Sequence, residues 1–182
     1  GKELKLTLSP AMDILKSSNI ERVIFSLFGA DRTKELMEDL NNNNIFQMSE
    51  KETKELQKYF SATYSDDSFG TDTIKGFLDN GYLMDPHTAT CIKAYKELKD
   101  KPLKTVIYST AEWTKFSPTV LNALNKNQIK YSDKQALEEI SSKYNAKLPQ
   151  SIKELFNAKI NHSLVIEKEN IEVEIVKFIR ES

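Results

Sequence analysis

The clearest pattern in the chain is an apolar stripe that begins at Ile20. Apolar residues recur there at positions i, i+3, i+4, i+7 and i+8, as Ile20, Val23, Ile24, Leu27 and Phe28. This spacing places them on one face of an α-helix. Ser18 or Asn19 is suited to cap the start of that helix, and Gly29 is suited to end it.

Capping signals predict further helices. Asp31 is placed to cap a helix that ends in the asparagine run 41–44. Ser49, followed three residues later by Glu52, has the spacing of a capping box and opens a helix that runs to Phe60. Asp85 before Pro86 is an N-cap acceptor followed by a proline at the first helical position. The apolar face of that helix is predicted to comprise Cys91, Tyr95 and Leu98. Other helices are predicted over residues 73–78, 117–124, 133–144 and 150–156.

A few short segments favour strands. Residues 5–8 alternate polar and apolar and indicate a strand or an entering loop, and residues 61–64 also suit a strand. Residues 104–108 contain the β-rich run Val106-Ile107-Tyr108, which is typical of a buried strand. The final segment has helical spacing at Ile171, Ile175, Phe178 and Ile179, although residues 171–175 also alternate as a strand would. The predicted fold class is therefore α/β, a single domain over residues 1–182 with few strands and many helices.

Composition narrows the function. The chain has 182 residues, 26 of them basic and 27 acidic, so its net charge of −1 gives no electrostatic reason to bind nucleic acid or an anionic membrane. No apolar run approaches the roughly 20 residues that span a bilayer. The lone Cys91 cannot form an internal disulfide, and His87 and His162 show no zinc-ligand spacing, so no metal site is predicted.

The glycines and the first residues suggest part of a larger protein. The five glycines, at positions 1, 29, 70, 76 and 81, form neither a Gly-x-Gly-x-x-Gly turn nor a P-loop. The first residues contain neither an initiator methionine nor the apolar stretch of a signal peptide. We therefore expect the chain to be a piece of something longer.

The first candidate for chemistry is the start of the helix at Ile20. Ser17, Ser18 and Asn19 lie where free backbone N–H groups and the positive end of the helix dipole favour an anion. Arg22, one turn further on, could bind a phosphate through two hydrogen bonds. The alternative is that one of the small residues only caps the helix and that Arg22 pairs with a nearby acid.

Two further candidates lie later in the chain. Asp85 is first of all a helix cap, and a histidine in the first turn, such as His87, is usually a surface or packed residue. Thr110 follows the predicted strand 104–108, and ligands in α/β proteins gather beyond the carboxyl ends of strands. The alternative for Thr110 is a turn hydroxyl bonded to its own backbone.

These three segments together resemble threonine synthase. Residues 7–14, 17–22 and 25 are similar to one motif of that family, residues 81–83 and 85–89 to a second, and residues 109–111 and 115–116 to a third, in the family's order and spacing. One departure is that Glu112, Trp113 and Thr114 stand where the family's Thr-Ala-His-Pro-Ala-Lys-Phe has His-Pro-Ala.

The resemblance implies a pyridoxal-phosphate enzyme of the tryptophan-synthase-like fold (fold type II), with this chain as the C-terminal part of its large domain. Such an enzyme is a cytoplasmic carbon–oxygen lyase of threonine biosynthesis that converts O-phosphohomoserine and water to L-threonine and phosphate. The cofactor lysine and the glycine-rich phosphate loop of the family would lie upstream, so this chain has no catalytic lysine of its own. We therefore expect it to be inactive alone and to need the N-terminal part of the same protein as its partner.

The resemblance also implies roles for individual residues. Thr110 would be the hydroxyl partner of the cofactor's pyridine nitrogen, and Asp85 and His87 would line the cofactor's far side. The candidates for the substrate phosphate are Ser17, Ser18, Asn19 and Arg22. Two alternatives stay open: a non-catalytic binding or scaffold module of the same fold, and a related pyridoxal-phosphate enzyme that acts on another amino acid.

Overall fold

The computed structural model describes residues 3–17 and 19–181, and over these residues the chain is helical with no β-strand. The α-helices are α1 (Asn19–Asn43), α2 (Glu50–Leu56), α3 (Asp67–Leu78), α4 (Pro86–Leu98), α5 (Ser117–Asn125), α6 (Asp133–Tyr144), α7 (Gln150–Leu155) and α8 (Ile171–Glu181). Short 3₁₀ helices cover Pro10–Met12, Trp113–Phe116 and Lys168–Asn170.

The helices begin and end where local chemistry dictates. The predicted capping box at Ser49 is confirmed, because its side chain accepts from the backbone N–H of Glu52 and the Glu52 carboxylate accepts from the backbone N–H of Ser49. Ser132 and Gln135 form a second capping box at the start of α6. Gly29 has φ 82° and ψ 177° and interrupts α1, which confirms the predicted stop between two helical stretches.

The core forms where four helices, α3 to α6, pack together. Helix α3 packs against α4 and α5, and α5 packs against α6. Their fully buried side chains include Ile74, Val120, Leu121 and Ile140. In α1 the apolar face that the sequence predicts is the less exposed one. Ile24 is fully buried, and the other four residues of that face are half-buried, namely Ile20, Val23, Leu27 and Phe28. These contacts hold α4, and therefore its N-terminus, in place.

The predicted strands are wrong over the described residues. Residues 5–8, 61–64 and 104–108 form no strand, and in the last of these Val106 and Tyr108 are 76% and 78% exposed. A strand requires a neighbouring strand for its backbone hydrogen bonds, and no described segment supplies one. The α/β prediction is thus corrected to a helix-rich fold.

The predicted apolar face of α4 is also wrong. Tyr95 and Leu98 are each 38% exposed and Cys91 is half-buried. The buried positions are instead Ala89, Ile92 and the residues of the first turn. Helix α4 turns this face inward because its capped end, rather than its later turns, lies in the core.

The chain divides into two compact units, Gly1–Lys147 and Leu148–Ser182. The second unit contains α7, the 3₁₀ helix Lys168–Asn170 and α8. Helix α8 confirms the helical interpretation of the final segment against the strand alternative. No helix in the described part of the chain has the length and apolar character needed to cross a membrane.

Candidate functional site

The candidate site is built around the first turn of α4. Asp85 precedes this helix, and one oxygen of its carboxylate accepts hydrogen bonds from the backbone N–H groups of His87 and Thr88, at 2.9 and 3.4 Å. Pro86 occupies the first helical position, where no backbone donor is needed. The predicted cap at Asp85 is therefore confirmed, and the Asp85 side chain is fully buried.

The His87 ring has a hydrogen-bond partner on each nitrogen. The backbone N–H of Ala11 donates to Nε2 at 3.1 Å, which makes Nε2 an acceptor without a proton. Nδ1 therefore carries the proton and donates a hydrogen bond to the Asp85 carboxylate at 3.0 Å. The ring is 7% exposed and packs against the Phe116 ring, with 4.5 Å between the ring centroids. His87 thus joins three segments that are far apart in sequence.

Thr88 extends this network to the loop that carries Thr110. The Thr88 hydroxyl donates to the second oxygen of the Asp85 carboxylate. The Ser109 hydroxyl oxygen lies 3.3 Å from that of Thr88, and it also lies 3.1 Å from the carbonyl oxygen of Ala111. Thr110, the next residue after Ser109, is exposed. The hydroxyl of Thr110 has no hydrogen-bond partner among the described residues, so the alternative of a self-bonded turn hydroxyl is not what the structure shows.

The segment before α1 docks onto the same helix end. The Ser9 hydroxyl donates to the Pro86 carbonyl at 3.2 Å. Within the segment, the backbone N–H and the hydroxyl of Thr7 both donate to the Asp13 carboxylate, each at 2.7 Å. Residues 7–13 therefore form a closed turn, and that turn presents the Ala11 N–H to His87.

The departure from the family motif has a structural role. Trp113, one of the three residues at which the chain departs from the motif that it resembles, is 6% exposed and belongs to the core. The 3₁₀ helix Trp113–Phe116 then leads directly into α5. The loop of residues 109–116 is thus held from its far end by a buried tryptophan and by the contact between Phe116 and His87.

The predicted anion site lies at the start of α1. Ser17, Asn19 and Arg22 are all exposed there, and Ser18 lies outside the described residues. No ion pair joins Arg22 to a carboxylate in the part of the chain that the structure describes, so the alternative of a paired arginine is not observed. By contrast, the Arg32 guanidinium contacts the Glu52 carboxylate at 2.6 and 3.1 Å.

A pocket of about 430 Å³ lies between the residue 7–13 turn and α4. Its lining includes Ser9, Met12, Thr90 and Cys91, but not Asp85, His87 or Thr110. No cluster of three or more histidine, cysteine, aspartate or glutamate side chains suited to a metal occurs among the described residues. Asp85 and His87 therefore lie in a buried network, and Thr110 lies on an exposed loop, all three outside this pocket.

Sequence reasoning identified Asp85, His87 and Thr110 but missed Thr88 and Ser109, which connect them. The signal for Thr88 is its position: a residue three places after an N-cap has its side chain beside that cap. No local signal predicts the contact between Thr88 and Ser109, because 21 residues separate them.

Relatives with a similar sequence are named threonine synthases. Threonine synthase-like 1 from Homo sapiens is 32% identical over 151 residues, which cover 81% of this chain and 20% of that protein. Threonine synthase from Saccharomyces cerevisiae is 31% identical over 139 residues, which cover 65% of this chain and 27% of that enzyme. The chain thus spans about a fifth to a quarter of the length of these relatives. No family model matches the chain.

Solved structures show the same similarity. The structure of threonine synthase from Brucella melitensis with pyridoxal phosphate bound matches 97% of this chain and 35% of its own chain, with a TM-score of 0.73 and 28% identity. The structure of yeast threonine synthase matches 100% of this chain and 37% of its own, with a TM-score of 0.69 and 26% identity.

Proposed function

From the homology of this chain to threonine synthases at about 30% identity, we propose that it is the C-terminal part of such an enzyme. The proposed reaction converts O-phosphohomoserine and water to L-threonine and phosphate, with pyridoxal phosphate as cofactor. The observation that carries the proposal is that the three resembling motifs meet at the first turn of α4, through Ala11, His87 and Ser109. These contacts bring the Thr110 loop next to the other two motifs, and mutual geometry of this kind is what a shared site requires.

Thr110 is the proposed partner of the cofactor's pyridine nitrogen. Its hydroxyl is exposed, has no partner among the described residues and can donate one hydrogen bond. A neutral ring nitrogen accepts one hydrogen bond, so the residue fits the group. Asp85 and His87 belong to the same proposed site, because His87 contacts Phe116 of the loop that carries Thr110 and Asp85 accepts from His87 and Thr88.

The choice of a hydroxyl has a chemical consequence. When bound, pyridoxal phosphate supplies an electron sink for reactions at the substrate's α-carbon. Thr110 would donate a hydrogen bond to the ring nitrogen but, unlike a carboxylate, would not hold a proton on it. A hydroxyl at this position would therefore give a weaker electron sink than a carboxylate partner would.

The start of α1 is the proposed site for the substrate's phosphate. Ser17, Ser18 and Asn19 supply small donors beside the helix N-terminus, and Arg22 supplies a positive charge within one turn. The absence of an ion-pair partner for Arg22 among the described residues supports this role, because its guanidinium is available for a ligand.

A substitution at Thr110 tests the proposal in the full-length enzyme. Thr110→Val keeps the shape and removes the donor, so the ring nitrogen loses its partner at a cost of about 1–3 kcal/mol. We expect pyridoxal phosphate to bind roughly tenfold to hundredfold more weakly, as measured by spectroscopic titration, and phosphate release from O-phosphohomoserine to fall. The matched control is Thr114→Ala on the same loop, since the family has alanine at that position. Equal cofactor affinity in Thr110→Val and the wild type would contradict the proposal.

A further inference from the structure

The loop that carries Thr110 is attached at both ends to the first turn of α4. At one end, the Ser109 hydroxyl lies 3.3 Å from that of Thr88. At the other end, the Phe116 ring packs on the His87 ring, with 4.5 Å between centroids and 50° between planes. Two consecutive residues of one helical turn therefore hold the two ends of the loop, and Thr110 lies exposed between them.

Both anchors depend on the same buried carboxylate. Asp85 accepts a hydrogen bond from His87 Nδ1 on one oxygen and from the Thr88 hydroxyl on the other. The Thr88 hydroxyl has only one proton and donates it in the hydrogen bond to Asp85, so toward Ser109 it is the acceptor. The Ser109 hydroxyl then shares its one proton between Thr88 and the Ala111 carbonyl. A buried carboxylate with this many donors keeps its partners in one arrangement. If one of these hydrogen bonds were lost, a buried polar group would be left without a partner, which costs free energy.

The polar atoms of Asp85 and His87 are already occupied. The Asp85 carboxylate accepts from two backbone N–H groups and two side chains, and both ring nitrogens of His87 have partners. A ligand that contacted a ring nitrogen of His87 would displace an internal hydrogen bond, and both Asp85 and His87 are buried. These residues are therefore arranged to support other groups.

We infer that Asp85, His87 and Thr88 are positioning residues, which fix the 109–116 loop at both ends and thereby set the location of the Thr110 hydroxyl. This inference rests on the proposed function in one respect, namely that the Thr110 hydroxyl contacts the cofactor. The anchoring of the loop itself is a property of this chain. The two parts can be tested separately.

The anchoring is tested on the chain itself by ¹⁵N NMR. Thr88→Val keeps the side-chain shape and removes the hydroxyl, and Ser109→Ala removes the other half of the contact at an exposed position. We expect both variants to increase the mobility of the Ser109 to Ala111 amides in relaxation measurements. Thr88→Ser, which keeps the hydroxyl, should show the wild-type mobility at these amides. The control is Thr90→Val, which removes a hydroxyl on the same helix that donates to the His87 carbonyl instead.

The same spectra test the His87 link. In the wild type, Nδ1 should show the ¹⁵N shift of a protonated ring nitrogen and Nε2 that of an unprotonated one. Unchanged loop mobility in both Thr88→Val and Ser109→Ala, or the opposite tautomer at His87, would overturn the inference. If Thr88→Val does not fold, Ser109→Ala still decides, because Ser109 is exposed and outside the core.

The effect on Thr110 is tested in the full-length enzyme by a double-mutant cycle on cofactor affinity. We expect Thr88→Val to weaken pyridoxal phosphate binding at least fivefold in the wild-type background and to have no further effect in the Thr110→Val background. Effects that multiply would refute action through Thr110. If Thr110→Val alone leaves the affinity for pyridoxal phosphate unchanged, the proposed contact between Thr110 and the cofactor is wrong. The anchoring of the loop is then still tested by the NMR measurements.

Discussion

Arg22 is exposed on the first turns of α1 and makes no ion pair with a described carboxylate, so its charge is available to a ligand. We expect inorganic phosphate to shift the amide resonances of Asn19 and Ile20 in an NMR titration. Arg22→Ala should weaken this binding about tenfold to hundredfold, because a charge-assisted hydrogen bond contributes about 1.5–3 kcal/mol. In the full-length enzyme the same change should raise KM for O-phosphohomoserine.

A control separates this local contact from the loss of one positive charge. Lys75→Ala changes the net charge equally at an exposed position on α3. A site at the start of α1 predicts that Lys75→Ala binds phosphate as the wild type does. The assignment of Arg22 to the site would be wrong if Arg22→Ala bound phosphate with unchanged affinity. It would also be wrong if the affinity for phosphate fell equally in Arg22→Ala and Lys75→Ala.

At single residues, the sequence predicted those features that a few neighbouring positions determine. The cap at Asp85 follows from an acceptor before Pro86, and the structure confirms it. The partners of His87 could not be predicted, because Ala11 is 76 residues away and donates through its backbone, which carries no side-chain signal. The side chains of Asp85 and His87 are identified by their neighbours in sequence, but their hydrogen bonds depend on the tertiary fold.

Helices α1 and α2 are linked by the ion pair between Arg32 and Glu52. Hydrogen bonds from Arg32 and then from Ser49 lower the pKa of Glu52 from 4.5 to about 2. A carboxylate whose pKa is lower in the folded state stabilises the fold above its unfolded pKa, and it loses that contribution as the pH falls through its folded value. The stabilisation by Glu52 is therefore complete above about pH 5 and is lost between there and pH 2.

Glu52→Gln tests this link between the two helices. The variant should be less stable than the wild type at pH 7, and the difference should narrow as the pH falls toward 2. Thermal unfolding followed by circular dichroism at several pH values measures both stabilities. Glu38→Gln, at an exposed glutamate on α1, is the control. A difference between Glu52→Gln and the wild type that stays constant with pH would contradict the assignment.

The break in α1 depends on Gly29. At φ 82° and ψ 177° its backbone occupies a region that is essentially restricted to glycine. We expect Gly29→Ala to destabilise the protein by about 1–3 kcal/mol in urea unfolding. The matched control is Gly76→Ala inside α3, where an added methyl group meets nothing within 4 Å and should stabilise the helix by about 0.5–1 kcal/mol. If both variants changed the free energy of unfolding by the same amount, the backbone conformation at Gly29 would not explain the destabilisation.

Helices were easier to predict than strands for a physical reason. A helix makes its hydrogen bonds within one segment, so caps and spacing at Ser49, Asp85 and Ile171 were sufficient. A strand needs a second segment, and the β-rich residues 104–108 have no pairing strand among the described residues. Their composition suits a strand, but the described part of the chain provides no partner with which to pair.

Large apolar side chains lie exposed beside the proposed cofactor site. Val106 and Tyr108, which precede the loop that carries Thr110, are 76% and 78% exposed. Neighbouring exposed apolar side chains of this kind are typical of a surface that other protein covers. We therefore expect the proposed cofactor site to be complete only when further protein covers this surface.

This expectation leads to a prediction for the chain on its own, which should bind pyridoxal phosphate at no single lysine. None of its lysines lies in the Ser-x-Lys-x-Arg setting that the family resemblance implies, and it has no glycine-rich loop for the cofactor's phosphate. Stoichiometric capture by one lysine requires that the cofactor be held beside that lysine, and this chain has no such loop to hold it. Incubation with pyridoxal phosphate, reduction with borohydride and peptide mapping should therefore give weak labelling spread over many of the exposed lysines. The full-length enzyme, treated identically, should give one stoichiometric site outside residues 1–182. A single stoichiometric site within this chain would mean that it holds the cofactor unaided.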